Sequence, residues 1–172
     1  MNTDDVLLLA RDDFACYCVA LYRGFEFAAF HRAIIEELEE IERERKLRAM
    51  LCLPPRHSKS LTAAQLFPAF YLGRHPDRSI IGVNYGQELA DAFGRKVRSF
   101  VNDPLHQQIF PGCRLSSNAT SAHCFETTAG GGYFASGREG PIVGRGASRV
   151  IVDDPLKNRE EAESELIRNN LW

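Results

Sequence analysis

The chain has 172 residues, of which 44% are hydrophobic and 26% charged, and its formal net charge is −2. These values suit a single soluble globular domain with a hydrophobic core, and they give no overall electrostatic case for nucleic-acid binding. No apolar run approaches the roughly 20 residues of a membrane span, and the acidic start lacks the basic region of a signal peptide. Because no run is long enough to cross a membrane, we expect no membrane association. The five cysteines lack zinc-ligand spacing, so we expect a reducing compartment.

Two helices are predicted before residue 48. Apolar residues recur at helical spacing from Asp4 to about Arg23 and again from Phe25 to Leu47. In the second segment, glutamates cover the other faces and basic residues end the run, which suits the helix dipole. We therefore assign residues 1–47 to a helical N-terminal segment.

The segment Pro54–Ser60, here called the phosphate loop, has the layout of a nucleotide phosphate-binding loop. The apolar run Ala49–Leu53 predicts a strand before it, and a helix-like segment begins at Leu61. A helix N-terminus presents unpaired N–H groups to a phosphate, Lys59 would reach the β- and γ-phosphates, and the Ser60 hydroxyl would ligate Mg²⁺. Only Lys59 and Ser60 match the pattern G-x-x-x-x-G-K-[ST], so an ordinary proline-bounded surface loop is the alternative.

The middle of the chain alternates between helix and strand. The helix that begins at Lys59 is predicted to run to about Leu72, with Pro68 as a possible kink. A strand follows at Ser79–Asn84 and a helix at Gln87–Val101. Short connections between these elements favour a right-handed βαβ topology and a mainly parallel sheet.

Glycines mark the next change of pattern. Strands are predicted at residues 122–128 and 133–136, and the three glycines between them indicate a hairpin. A permissive glycine-rich loop then carries Arg138 and Arg145.

A short apolar run ends in two carboxylates. Val150–Val152 predicts a strand buried on both faces. It runs into Asp153, Asp154 and Pro155, here called the acidic turn. ATPases place at such a strand end one acid that holds Mg²⁺ and one that orients the attacking water. A solvated turn is the alternative, but the acidic turn and the phosphate loop together favour an ATP site. After the acidic turn, a charged helix is predicted at Glu160–Leu171.

These motifs, in this order, resemble the ATPase domain of phage terminase large subunits, the DNA-packaging motors of tailed bacteriophages and prophages. The resemblance covers about residues 25–172 and rests on the phosphate loop, the Val-Asn-Tyr strand end at residues 83–85, the glycine-rich stretch and the run Val150–Asn158. Related loops carry glycine where Ser58 stands.

The resemblance implies a P-loop NTPase-like α/β fold with a mainly parallel sheet flanked by helices, a glycine-rich hairpin and a helical N-terminal segment. Residues 48–172 would form an incomplete ATPase core, so we expect ATP and Mg²⁺ as ligands. Because the nuclease domain would be missing, we expect no DNA cleavage by this chain. The expected phosphate-binding residues are His57, Ser58, Lys59, Ser60 and Leu61. The expected metal ligands are Ser60 and Asp153, and the expected catalytic residues are Asp154, Lys59, Arg145 and Arg56.

The same resemblance suggests further roles and partners. Phe30 and His31 are the nearest candidates to seat the adenine, and Arg138 is a second candidate to reach a γ-phosphate from the glycine-rich loop. Expected partners are double-stranded DNA, a portal protein, a small terminase subunit and further copies of the chain in a ring, in the cytoplasm of the bacterial host. The alternatives are another P-loop ATPase of helicase-like type and an inactive truncated remnant.

Overall fold

The N-terminal part of the computed structural model is helical, and the described residues are 3–121, 123–142 and 144–165. Helices α1, α2 and α3 span Thr3–Asp12, Phe14–Leu21 and Ala29–Glu42. The single helix predicted up to Arg23 is therefore two helices. They separate at Asp13, whose backbone is extended and whose carboxylate accepts a hydrogen bond from the amide of Cys16 at 2.7 Å. An aspartate in this position caps a new helix instead of continuing the old one.

A continuous helical run follows the phosphate loop. It consists of a π-helix at Ser60–Leu66 and helix α4 at Phe67–Arg74, which confirms the predicted helix, and Pro68 lies at their junction. The strand predicted at Ala49–Leu53 is wrong, because these residues are irregular. Leu51 and Leu53 pack partly against the core, but their backbone pairs with no strand of the described sheet. The apolar pattern therefore indicated burial and not a strand.

The remaining described elements form a sheet and its connecting helices. The strands are β1 (Ser79–Asn84), β2 (Leu115–Thr120), β3 (Cys124–Thr127), β4 (Gly132–Gly137) and β5 (Arg149–Val152); the helices are α5 (Gln87–Val101), α6 (Pro104–Ile109) and α7 (Arg159–Glu163). The predictions of β1, α5, β5 and the hairpin β3–β4 are confirmed, whereas β2 was not predicted. The helix predicted at Glu160–Leu171 is confirmed only as far as Glu163, because α7 ends there and the backbone of Ser164 is extended; residues 166–172 lie outside the described residues.

The sheet is mixed. In the part of the chain that the structure describes, its strand order is β2-β3-β4-β1-β5, with β1 parallel to both β4 and β5 and with β2, β3 and β4 antiparallel. The α/β class is confirmed, but the prediction of a mainly parallel sheet is wrong, because the hairpin and β2 add an antiparallel half. In the parallel half, the carboxyl ends of β1, β4 and β5 lie on the same side of the sheet. Ligand sites of such sheets lie at the carboxyl ends of their strands.

Strand β5 lies at the border of the sheet. Among the described strands only β1 pairs with it, and its burial alternates, so that Val150 is 58% and Val152 55% exposed. The prediction of a strand buried on both faces is therefore wrong. Three β-branched residues in a row indicated a central strand, but here one face of an edge strand stays open.

Helices and sheet share one hydrophobic core. Phe14 of α2 packs on Phe70 of α4 with ring centroids 5.0 Å apart, and both belong to a cluster that also contains Ile80 of β1 and Val97 of α5. The predicted division of the chain at residue 47 stays a prediction. Among the described residues, no helix has the length and apolar character that crossing a membrane requires.

One polar pair lies inside this core. The Tyr17 hydroxyl and Nδ1 of His106 are 2.8 Å apart, and both residues are fully buried. Burial, reinforced by the positive charge of Arg114, lowers the pKa of His106 to about 4. The imidazole is therefore neutral in the folded protein at pH 7.

Acidification should destabilise the fold through His106. The unfolded chain protonates this histidine near its ordinary pKa of about 6.5, whereas the folded protein resists protonation until about pH 4. The contribution of His106 is complete above pH 6.5 and is lost as the pH falls toward 4, by up to about 3 kcal/mol. Urea unfolding between pH 4 and 7 measures it, with His106→Asn, which cannot titrate there, as the comparison; equal pH slopes in both proteins would contradict this assignment.

Candidate functional site

The predicted phosphate loop and the acidic turn meet at one cavity. It has a volume of about 410 Å³ and is lined by residues 53–61 and Asp154. Its position follows from the sheet, because β5 ends where Asp153 donates its backbone N–H to the carbonyl of Val83 in β1 at 2.9 Å. The structure thus brings together the phosphate-binding candidates and the carboxylates predicted from separate motifs, and of these carboxylates Asp154 lines the cavity.

Lys59 connects the two motifs directly. Its Nζ lies 2.6 Å from Oδ1 of Asp154 and 3.1 Å from Oδ1 of Asp153. Partial burial acts to lower the pKa of Lys59, but the hydrogen bonds to Asp154 and Asp153 outweigh it, so that the pKa is raised. The ammonium is therefore fully charged at neutral pH and is held between two carboxylates.

The two carboxylates differ in their surroundings. Asp153 is buried, with 7% of the residue exposed, whereas the side chain of Asp154 is 61% exposed and lines the cavity. The buried acid has a fixed orientation beside Lys59, while the exposed one faces solvent. This asymmetry suits two acids with different tasks, one holding a cation and one contacting water.

The backbone of the site is strained. Four non-glycine residues of the described chain have positive φ, and three of them belong to this site: Arg56 (64°), Ser58 (56°) and Asp154 (46°). The left-handed region costs an L-residue roughly 1–2 kcal/mol. Such strain concentrates at functional sites.

The strained loop also orients backbone amides. Ser58 is left-handed and the next residue, Lys59, is right-handed with φ −51° and ψ −56°. Successive residues of opposite hand turn their N–H groups toward a common point and make an anion-binding concavity. The π-helix that starts at Ser60 adds its N-terminal amides, and π-turns recur at functional sites.

An aromatic cluster flanks the loop. The His57 ring lies edge-on to Phe30 with centroids 5.0 Å apart, and Nδ1 of His57 is 2.9 Å from the carbonyl of Pro55. Phe30 in turn packs on His31 at 4.1 Å. His31 is buried, its Nδ1 accepts a hydrogen bond from the amide of Ala28 at the start of α3, and burial lowers its pKa. Of the two adenine candidates, Phe30 therefore lies beside the loop and His31 caps a helix.

The predicted arginines occupy different places. Arg56 lines the cavity and is exposed. The guanidinium carbon of Arg145 lies 3.9 Å from the ring centroid of Phe134, beside a separate cavity on the sheet, so the structure does not bring it to Lys59. Arg138 lies closer to the acidic turn, since its Nη1 bonds Glu161 at 2.7 Å and the carbonyl of Pro155 at 3.4 Å.

Sequence reasoning missed the role of Asn84 at this site. The residue ends β1, is 2% exposed, and donates a hydrogen bond from Nδ2 to the carbonyl of Asp153 at 3.0 Å. A polar residue at the carboxyl end of a strand was the available signal, since parallel strands converge there on the ligand edge. The identity of the neighbouring strand was not readable from the sequence.

Comparison with known proteins gives one match. A family model described as "Terminase large subunit, T4likevirus-type, N-terminal" matches residues 50–172, which include the phosphate loop, the sheet and the acidic turn. No curated protein matches the chain. No solved structure matches it either.

Replacing Ser58 by glycine should stabilise the protein. Glycine removes a left-handed penalty of roughly 1–2 kcal/mol but adds about 0.5–1 kcal/mol of unfolded-state entropy, so the free energy of unfolding should rise by roughly 0.5–1 kcal/mol. Ser99→Gly, at an exposed position inside α5, is the matched control and should lower it by about 0.5 kcal/mol. Urea titration of both variants checks this, and a destabilised Ser58→Gly would mean that the left-handed residue is not strained.

Proposed function

This chain belongs to the family of T4-type terminase large subunits, whose N-terminal part it matches over residues 50–172, and we propose that it is an ATPase module of a DNA-packaging motor with a P-loop NTPase-like core. The observation that carries the proposal is the position of the Lys59 ammonium between Asp153 and Asp154. Lys59 and Asp154 are 95 residues apart in the chain, and nucleotide hydrolysis requires a phosphate-binding lysine and acidic residues at one place.

The phosphate loop would hold the triphosphate of ATP. The cavity is lined by His57, Ser58, Lys59, Ser60 and Leu61. Their backbone amides would bind the phosphates at the helix start, where partial positive charge accumulates. The Lys59 ammonium would exchange part of its contact with the carboxylates for the β- and γ-phosphates. Arg56, exposed on the same loop, would neutralise further phosphate charge.

Ser60 and Asp153 would hold Mg²⁺. Their hydroxyl and carboxylate oxygens are the hard ligands that this ion prefers, and Mg²⁺ is typically bound through one or two carboxylates together with substrate phosphates. Among the described residues, no group of three or more histidine, cysteine, aspartate or glutamate side chains is arranged to hold a metal ion. Bound at Ser60 and Asp153, Mg²⁺ would supply charge neutralisation on the phosphate oxygens.

Asp154 would act on the attacking water. Its carboxylate lines the cavity and is largely exposed, so a water molecule can donate a hydrogen bond to it. The water oxygen then forms a bond to the γ-phosphorus as the bond to the ADP oxygen breaks, and the water proton passes to the carboxylate or to a phosphate oxygen. Phe30 beside His57 is the aromatic surface that would seat the adenine.

Arg145 would need another route to the γ-phosphate. It lies on Phe134 in a glycine-rich loop outside the cavity. An exposed arginine in such a place suits a neighbouring subunit's site in a ring better than its own. Double-stranded DNA, a portal protein, a small terminase subunit and further copies of this chain are the proposed partners, and the host cytoplasm is the proposed location.

Removing the Lys59 side chain should abolish MgATP binding. Lys59→Ala deletes the ammonium that lies between the phosphate loop and the acidic turn, and removes its contacts with the two carboxylates. Isothermal titration calorimetry with MgATP measures binding, and circular dichroism checks the fold. Lys96→Ala, at an exposed position of α5, is the control and should bind like the wild type.

Undiminished binding by a folded Lys59→Ala variant would contradict the site assignment. Steady-state phosphate release from the wild type then separates an active module from an inactive one. Binding without release would mean that the nucleotide site exists but that the remnant alternative describes the protein better.

A further inference from the structure

The acidic turn is held by hydrogen bonds from neighbouring elements. Asp153 donates its N–H to Val83, and its carbonyl accepts from Nδ2 of Asn84 at 3.0 Å. The carbonyl of Asn84 accepts from the backbone N–H of Arg138 at 2.8 Å. The Arg138 guanidinium closes the frame on the far side by bonding the carbonyl of Pro155 and the carboxylate of Glu161.

This frame acts on the residue with the strained backbone. The plane of the peptide between Asp153 and Asp154 is set by the direction of the Asp153 carbonyl, and that plane determines φ of Asp154. Left-handed Asp154, at φ 46°, would relax toward extended conformations if the plane were free to turn. Within the described frame, Asn84 is the side chain that bonds this carbonyl.

We propose that Asn84 is a positioning residue for ATP hydrolysis, which holds the Asp153–Asp154 peptide so that the Asp154 carboxylate stays beside Lys59 and faces the nucleotide cavity. Asn84 does not line that cavity. It acts through the backbone of the neighbouring strand, because its buried amide bonds the Asp153 carbonyl. The inference rests on the proposed function, since a hydrolytic role of Asp154 is its premise.

The chemistry of the donor makes a specific test possible. Asn84→Asp keeps the size of the side chain but replaces the N–H donor by an oxygen that repels the Asp153 carbonyl. Asn84→Ala removes the donor without adding repulsion, and serves if the aspartate variant does not fold. Asn102→Asp and Asn102→Ala, at the exposed position that follows α5, are the matched controls.

The experiment measures kcat, the dissociation constant of MgATP and the thermal midpoint for these five proteins, wild type included. A displacement of about 1 Å in a reacting group costs about 100-fold in rate. For both Asn84 variants we expect kcat to fall about 100-fold, while MgATP affinity changes less than about threefold, because Lys59 and the loop amides stay in place. The control variants should match the wild type.

Equal kcat in the wild type and the folded Asn84 variants would overturn the inference and leave the proposed function intact. A parallel loss of affinity and kcat would also overturn it, since that pattern indicates general damage to the site. If the wild type itself shows no turnover, the proposed function fails instead. The backbone carbon chemical shifts of Asp154 then report whether Asn84→Ala releases the left-handed conformation, and unchanged shifts would remove the structural basis of the inference.

Discussion

The contact of one lysine with two aspartates organises the functional end of this molecule. Lys59 belongs to a loop that enters a helix, and Asp153 and Asp154 end a strand on the border of the sheet. No backbone pairing joins the described residues of the loop to β5, so these ion pairs and the packing of the π-helix hold the two motifs together. An ion pair with partly buried members can do this, because solvent screens it less than it screens a surface pair.

The strained residues of the site need a rigid surrounding to persist. Arg56, Ser58 and Asp154 each occupy a backbone region that L-residues avoid. The helical run after the loop is anchored in the core through Leu66, Phe67 and Phe70, which are almost completely buried. The core therefore stabilises a loop conformation that its own residues disfavour, and this arrangement is the usual basis of preorganised sites.

Local sequence signals predicted much of this fold. Helical spacing predicted α5, an apolar run predicted β1, and the glycines between two strands predicted the hairpin. The residue types at Lys59, Ser60, Asp153 and Asp154 predicted which segments would meet. The errors concern long-range structure, since an apolar run such as Ala49–Leu53 reads the same whether or not a strand pairs with it. The pairing of β5 with β1 makes β5 a border strand and brings Asn84 to the Asp153 carbonyl. Local residue types do not predict which strands pair.

Under the proposed function Asp154 would orient the attacking water, a task for which many ATPases use glutamate, and aspartate is one methylene shorter. In this chain the left-handed conformation of Asp154 turns the residue so that its carboxylate still lies 2.6 Å from the ammonium of Lys59. Asn84 and Arg138 donate hydrogen bonds to the carbonyls on either side of Asp154. These bonds hold the backbone in the conformation that places the short carboxylate beside Lys59.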